Sequence, residues 1–244
     1  MDEINVRLHQ PRRWLSQSEG LMAQELDFID EDLASDSLNG LDNVADSLGM
    51  LATYCGIRGE VAISDGEASG WEQVSRSMMY RYWALMLKAK AFSKTSFLQG
   101  LKPVPNLTNQ LSIAGCLLAG LIVADRRDLA ASVADVLAGM LTINGAVDSS
   151  YLKQRRFEPF MLWLYSVYSQ GDTLSDFESM DLGIYQKVID EWTNEQGLAH
   201  ALEELCQYHL SNAEDNGGAW DPEFKYAPFD LLPLEIHAIF QVRQ

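Results

Sequence analysis

The chain repeats apolar residues at spacings of three and four, which is the pattern of a helix with one buried side. Between Glu19 and Leu33 the apolar positions form one stripe opposite a row of acids: Leu21, Met22, Leu26, Ile29 and Leu33. The same spacing returns over residues 37–55, 71–92, 107–124, 129–141, 158–168, 184–192 and 198–210. We therefore predict an all-α protein, either an irregular multi-helix bundle or a short solenoid of antiparallel helix hairpins.

Signals for strands and linkers are scarce. The best strand candidate is 236–242, although its alternation is poor. Glycines interrupt the helical pattern between residues 56 and 70, so this segment is the best place for a domain boundary if one exists. No Pro-, Gly- or Ser-rich linker divides the chain, and we predict a single helical domain over residues 1–244.

Charge restricts the class of partner. The chain has 18 Lys and Arg against 35 Asp and Glu, a net charge of −17. This excess argues against nucleic acid, whose binding begins with neutralising phosphates by Lys and Arg, and against anionic membranes. Residues 1–72 carry −11, residues 73–170 carry +6 and residues 171–244 carry −12. Acidic outer faces of this kind favour a basic protein partner.

The sequence predicts a cytoplasmic protein that does not enter a membrane. The first residues lack the apolar core of a secretory signal. The longest near-apolar run, Ile113 to Ala124, is shorter than the ~18 residues of a membrane span. Cys55, Cys116 and Cys206 form no CxxC pair and are typical of small core residues in a reducing compartment.

The densest carboxylate cluster contains Asp27, Asp30, Glu31 and Asp32. Three of these residues lie within one helical turn, so they could bridge a divalent cation. The cluster resembles the aspartate-rich magnesium motif of all-helical terpene synthases, but the second ligand set of those enzymes is missing. We therefore predict no metal and interpret the cluster as a solvated or partner-facing helix face.

Residues that could carry catalysis form no recognisable motif. The chain has no HExxH, GxSxG or phosphate-binding loop. His200 lies three and four residues before Glu203 and Glu204, which predicts a hydrogen bond or ion pair on a helix surface. Cys206 and His209 share a helix face, and we predict a core cysteine beside a surface histidine. No catalytic residue and no cofactor are predicted.

The segment from Asn212 to Asp230 combines five acids with four aromatic rings and with glycine and proline residues that prevent a regular helix. One interpretation is a loop whose rings pin it to the helical core. The other is a contact surface for a basic partner, because aromatic rings offer large contact area at low entropy cost. The candidate contacts there are Glu214, Asp215, Trp220, Asp221 and Glu223.

Three segments resemble one group of proteins. They are Trp71-Glu-Gln-Val-Ser-Arg-Ser followed by Tyr82-Trp83-Ala84 and Phe92, the Ala- and Gly-rich stretch over Ala114–Met140, and the run from Pro228 to Ile236. Together they resemble the immunity proteins of bacterial polymorphic toxin systems, in particular the immunity protein family numbered forty-nine. The likeness covers residues 70–240 and leaves residues 1–60 without a counterpart.

The resemblance implies a mostly helical, non-enzymatic inhibitor that binds a cognate toxin in the cytoplasm, commonly by occluding its active site. We therefore expect a toxin-binding protein that presents an acidic surface to a basic partner. Two alternatives stay open, namely a helical scaffold or adaptor without a toxin partner and a helical metal-dependent enzyme. The oligomeric state does not follow from the sequence.

Overall fold

The computed structural model describes residues 6–35, 37–92, 107–142, 156–170, 182–213 and 222–244. Within these residues the chain forms ten α-helices and no strand, and its only extended pairing is an isolated bridge between Ala213 and Phe224. The predicted all-α class is confirmed.

The helices are numbered in chain order. Their bounds are α1 His9–Gln17, α2 Leu21–Ala34, α3 Leu38–Ser64, α4 Ser69–Phe92, α5 Thr108–Val123, α6 Arg127–Leu141, α7 Phe157–Ser169, α8 Ile184–Asp190, α9 Glu195–Asn212 and α10 Leu234–Arg243. Eight overlap a predicted helix, whereas α1 and α10 lie where none is predicted. The strand candidate 236–242 is wrong, because residues 234, 235, 238 and 239 are buried at helical spacing.

The contacts between residues in the folded chain divide it into two compact units. Unit 1 contains Met1–Lys102 and Tyr226–Leu232, and unit 2 contains Pro103–Lys225 and Pro233–Gln244. The sequence predicts one domain with a weak boundary at 56–70, but that segment lies inside unit 1 and is mostly helical. Helix α3 runs to Ser64, and α4 begins at Ser69.

The main feature of unit 1 is the close packing of α3 against α4. A Cβ on Gly59 would lie 2.7 Å from the Val74 side chain, and a Cβ on Gly70 would lie 2.8 Å from the Gly59 carbonyl oxygen. The buried Ser77 hydroxyl donates a hydrogen bond to the Ala52 carbonyl oxygen at 2.6 Å. These glycines therefore serve close helix approach, and Gly59 does not end α3 as the sequence suggests.

The segment 226–232 packs on this helix pair within unit 1. The buried Arg81 guanidinium donates to the Ala227 carbonyl oxygen at 2.6 Å and to the Thr53 hydroxyl at 3.3 Å. A Cβ on Gly56 would lie 2.4 Å from the same carbonyl oxygen. The absence of a side chain at Gly56 thus lets the segment approach α3.

Helix α5 forms the centre of unit 2, where it contacts α6, α7 and α10. It is buried around most of its circumference, while α6 buries a single stripe: Ala130, Val133, Ala134, Leu137 and Met140. A three-residue turn joins α5 to α6. These two helices, both rich in small residues, therefore pack against each other within unit 2. None of the described helices is long and apolar enough to cross a membrane.

Candidate functional site

The predicted acidic cluster lies on α2, mainly on the side that faces solvent. Asp27, Asp30 and Glu31 are exposed, and no described Lys or Arg forms a salt bridge with them. Asp30 and Glu31 lie three and four residues after Asp27, so the three carboxylates are neighbours on the helix surface. The structure therefore brings them together as one exposed, negatively charged face.

Asp32 differs from these three acids because its side chain forms a hydrogen bond with another residue of the protein. Its carboxylate accepts a hydrogen bond from the Asn43 side-chain amide at 3.0 Å, and the residue is half-buried. A Cβ on Gly40 would lie 2.6 Å from the Asp32 carbonyl oxygen, so the end of α2 and the start of α3 are in close contact. Asp32 thus helps to position the acidic face.

Helix α2 also exposes large apolar side chains. Leu26 is 45% exposed, Phe28 42% and Leu33 54%, and no residue of the helix is buried. The sequence predicts Leu26 and Leu33 on the buried stripe of this helix, and that prediction is wrong. The contact with α3 uses the half-buried positions of the helix and leaves both leucines at its edge. The signal that could have shown this is Phe28, which lies outside the stripe.

The second predicted surface falls largely outside the described residues. This applies to Glu214, Asp215, Trp220 and Asp221. Glu223 is described, and it is only 2% exposed. Its placement on an exposed contact surface is therefore corrected.

Glu223 is held among the helices of unit 2. Its carboxylate accepts a hydrogen bond from the Tyr185 hydroxyl at 3.4 Å, and its backbone carbonyl accepts one from the Ser112 hydroxyl at 2.7 Å. The neighbouring Phe224 is buried against Phe157, with ring centres 5.2 Å apart. For this part of the segment, the interpretation of a loop pinned to the core by its aromatic rings is confirmed.

A buried acid–histidine pair connects α9 and α10. His209 and Glu235 are each 2% exposed, and His209 Nδ1 lies 2.7 Å from Glu235 Oε1. The Phe224 ring stacks on the imidazole at 4.2 Å, and His209 Nε2 has no hydrogen-bond partner among the described residues. The sequence predicts a surface histidine beside a core cysteine, but the structure reverses the two, because His209 is buried and Cys206 is exposed.

Several titratable groups surround this pair. Burial raises the pKa of Tyr185 well above its ordinary value, and the negative charges of Glu223 and Glu235 raise it further. Glu158 is also buried in this unit. Tyr185 therefore stays protonated as a hydrogen-bond donor, which is a structural role. Among the described residues, no group of three or more His, Cys, Asp and Glu is arranged to hold a metal ion.

The exposed histidine of α9 behaves as predicted. His200 lies 3.6 Å from Glu203 and 3.7 Å from Glu204, and its side chain is 74% exposed. The predicted placement of His200 on a helix surface beside both carboxylates is confirmed.

Comparison with protein-family models, with curated proteins and with solved structures finds no match for this chain.

Proposed function

We propose that this chain is an immunity-type binding protein that neutralises a cognate bacterial toxin domain by stoichiometric contact. The contact uses an acidic surface and occludes the active site of a basic partner in the cytoplasm of the producing cell. The protein performs no chemistry in this proposal and uses no cofactor.

The exposed side of α2 is the observation that carries the proposal. Asp27, Asp30 and Glu31 project from a helix that has no basic residue, and exposed apolar side chains lie beside them. A purely solvating surface needs the charges but gains nothing from half-exposed leucines. Acids next to exposed apolar area are the composition expected of a surface that binds another protein.

The charge of the whole chain supports the same class of partner. A net charge of −17 attracts a basic protein over distances longer than direct contact, and it raises the rate of association more than the final affinity. A toxin that acts on nucleic acid or on another phosphorylated substrate has a basic substrate-binding surface, so an acidic inhibitor can cover it.

The proposal is tested by co-expressing the chain with the product of the neighbouring gene. We expect a tight 1:1 complex after purification and relief of that product's toxicity. A harmless neighbour that forms no complex would contradict the toxin interpretation. A stable complex without any change in the partner's activity would instead favour the scaffold or adaptor.

A further inference from the structure

The outer side of α2 carries two parallel stripes of different chemistry. Leu26 and Leu33 are seven residues apart, so they point in nearly the same direction about two turns from each other. Asp30 lies four residues after Leu26 and three before Leu33, next to both on the helix surface. Asp27 and Glu31 continue the acidic side. An apolar stripe therefore runs directly beside an acidic one.

The packing of α2 on α3 leaves these stripes exposed to solvent. The half-buried residues of α2 form the side that packs on α3, and Leu26 and Leu33 lie at its edge: Leu21, Met22, Glu25, Ile29 and Asp32. Because no α2 residue is fully buried, the helix presents to solvent an apolar area that its own unit does not use. Half-exposed large apolar side chains grouped on one helix mark an interaction surface.

The acids of α2 also lie at positions where the helix dipole and like-charge repulsion make them electrostatically unfavourable. The first turn has no acid, although an acid is favourable there, and the last turn has no basic residue. Asp30 and Glu31 instead lie toward the C-terminal end, and Asp27 and Glu31 form a like-charge pair at a spacing of four. Local stability therefore does not account for this arrangement, whereas binding of a positively charged partner does.

Charge decides which partner fits. The helix contains five acids and no Lys or Arg, so a second copy of the same face would be repelled, and so would nucleic acid and anionic lipid. We propose that the outer side of α2 docks a basic amphipathic segment of the toxin, in which Lys or Arg residues flank an apolar stripe. This inference rests on the proposed function for the identity of the partner, but the chemistry of the segment follows from α2 alone.

The two stripes should affect different rate constants of binding. The carboxylates at 27, 30 and 31 act at a distance, so they control the association rate and its dependence on salt. Leu26 and Leu33 act only in contact, so they control the dissociation rate. Charge and apolar substitutions should therefore affect different rate constants.

The test uses the full-length chain and two probes. One probe is the product of the neighbouring gene. The other is a synthetic helical peptide of about 14 residues, the length of α2, with Lys at spacings of three and four beside a leucine stripe. A peptide of the same composition in scrambled order is its control. Binding rates are measured by surface-based kinetics at low and at moderate salt.

Charge reversal is the first comparison. Asp27→Lys with Asp30→Lys should slow association by about tenfold or more at low salt and should weaken its salt dependence. The control Asp135→Lys with Glu203→Lys changes the net charge equally at exposed sites of unit 2, and we expect about a twofold effect at most. Because the reversal removes unfavourable helix electrostatics, the α2 variant should unfold at a temperature that is no lower than wild type. A surface with a merely structural role would instead lose stability.

Apolar truncation is the second comparison. Leu26→Ala with Leu33→Ala should raise the dissociation rate by about tenfold, whereas Met50→Ala, also half-exposed in unit 1, should leave it unchanged. Equal rates for wild type and both α2 variants would overturn the inference, even if the toxin is neutralised. The peptide separates the two proposals, since binding of the peptide through α2 without neutralisation of the neighbour would sink only the proposed function. If neither probe binds, the docking surface is rejected.

Discussion

Unit 2 should be sensitive to the loss of one partner of the buried pair of His209 and Glu235, and the substitution His209→Leu tests this. Leucine has a volume close to that of histidine and can pack against Phe224, so the change removes the hydrogen bond while keeping most of the packing. Glu235, only 2% exposed, then has a buried carboxylate whose histidine partner is gone. The expected result is a large loss of stability.

The size of the loss follows from the burial and the geometry. The 2.7 Å separation of His209 Nδ1 and Glu235 Oε1 is in the range of a charge-assisted hydrogen bond. Removing one partner of such a buried pair costs about 3–5 kcal/mol, a large part of the ~5–15 kcal/mol that stabilises a typical domain. The double substitution His209→Leu with Glu235→Leu leaves no buried carboxylate, so it should recover most of the loss.

The assay is urea denaturation followed by circular dichroism, combined with hydrogen exchange of the α10 amides. The matched control is His200→Leu, which breaks an exposed pair of the same chemistry on the same helix and should leave the midpoint unchanged. The reasoning is refuted if His209→Leu and His200→Leu have equal midpoints, or if the double variant is less stable than the single one.

Three further measurements test separate parts of the structure. Gly56→Ala should destabilise unit 1, because the new Cβ would lie 2.4 Å from a backbone carbonyl oxygen. Gly49→Ala places its Cβ in open space in the same helix, so it should stabilise the protein by about 0.5–1 kcal/mol. Denaturation midpoints of the two variants check both expectations. Burial and a hydrogen bond to Asp125 raise the pKa of Tyr168 to about 12. The free energy of unfolding should therefore fall as the pH rises from the ordinary pKa of tyrosine to about 12. NMR titration of the ring should show a lower pKa for Tyr168 in Asp125→Asn. Cys206 should be the first of the described cysteines that a thiol reagent modifies, since Cys206 is exposed and Cys55 and Cys116 are buried. Its reaction should be slow at neutral pH, because partial desolvation of the thiol and the nearby carboxylates of Glu235 and Glu203 raise its pKa. Labelling followed by peptide mass mapping checks this.

The helices could be predicted because their cause is local. A stripe of apolar residues at spacings of three and four is visible in the sequence itself, and eight of the described helices follow from it. The helix end predicted at residue 55 is wrong for a different reason, since α3 continues to Ser64. Gly56 and Gly59 look like helix ends, but their function is to let the 226–232 segment and α4 approach α3. A close approach between distant parts of the chain leaves no mark on local periodicity.

The buried polar groups could not be predicted for the same reason. Cys206 and His209 are three residues apart, and the rotation of α9 that buries one and exposes the other depends on Glu235, which lies on another helix. Glu223 looks like part of an acidic loop, yet the hydroxyls of Tyr185 and Ser112 hold it in unit 2. Charge alone predicts exposure, and only the tertiary partner reveals the exception.

The acids at 27, 30 and 31 are the part of the candidate site that sequence reasoning placed correctly on an exposed surface, and the other helices show why their position is significant. Three helices follow the favourable arrangement of an acid in the first turn and a base in the last: Glu72 and Lys90 in α4, Glu195 and His209 in α9, and Glu235 and Arg243 in α10. Helix α2 has neither feature, and its carboxylates gather toward the end where the helix dipole is negative. Helices α1, α3 and α5 also lack both features, but the like-charge pair Asp42 and Asp46 of α3 is bridged by Lys88, whereas no described Lys or Arg bridges Asp27 and Glu31. An arrangement that local stability opposes, on a helix with exposed leucines, is better explained by a positively charged partner whose binding compensates for its cost.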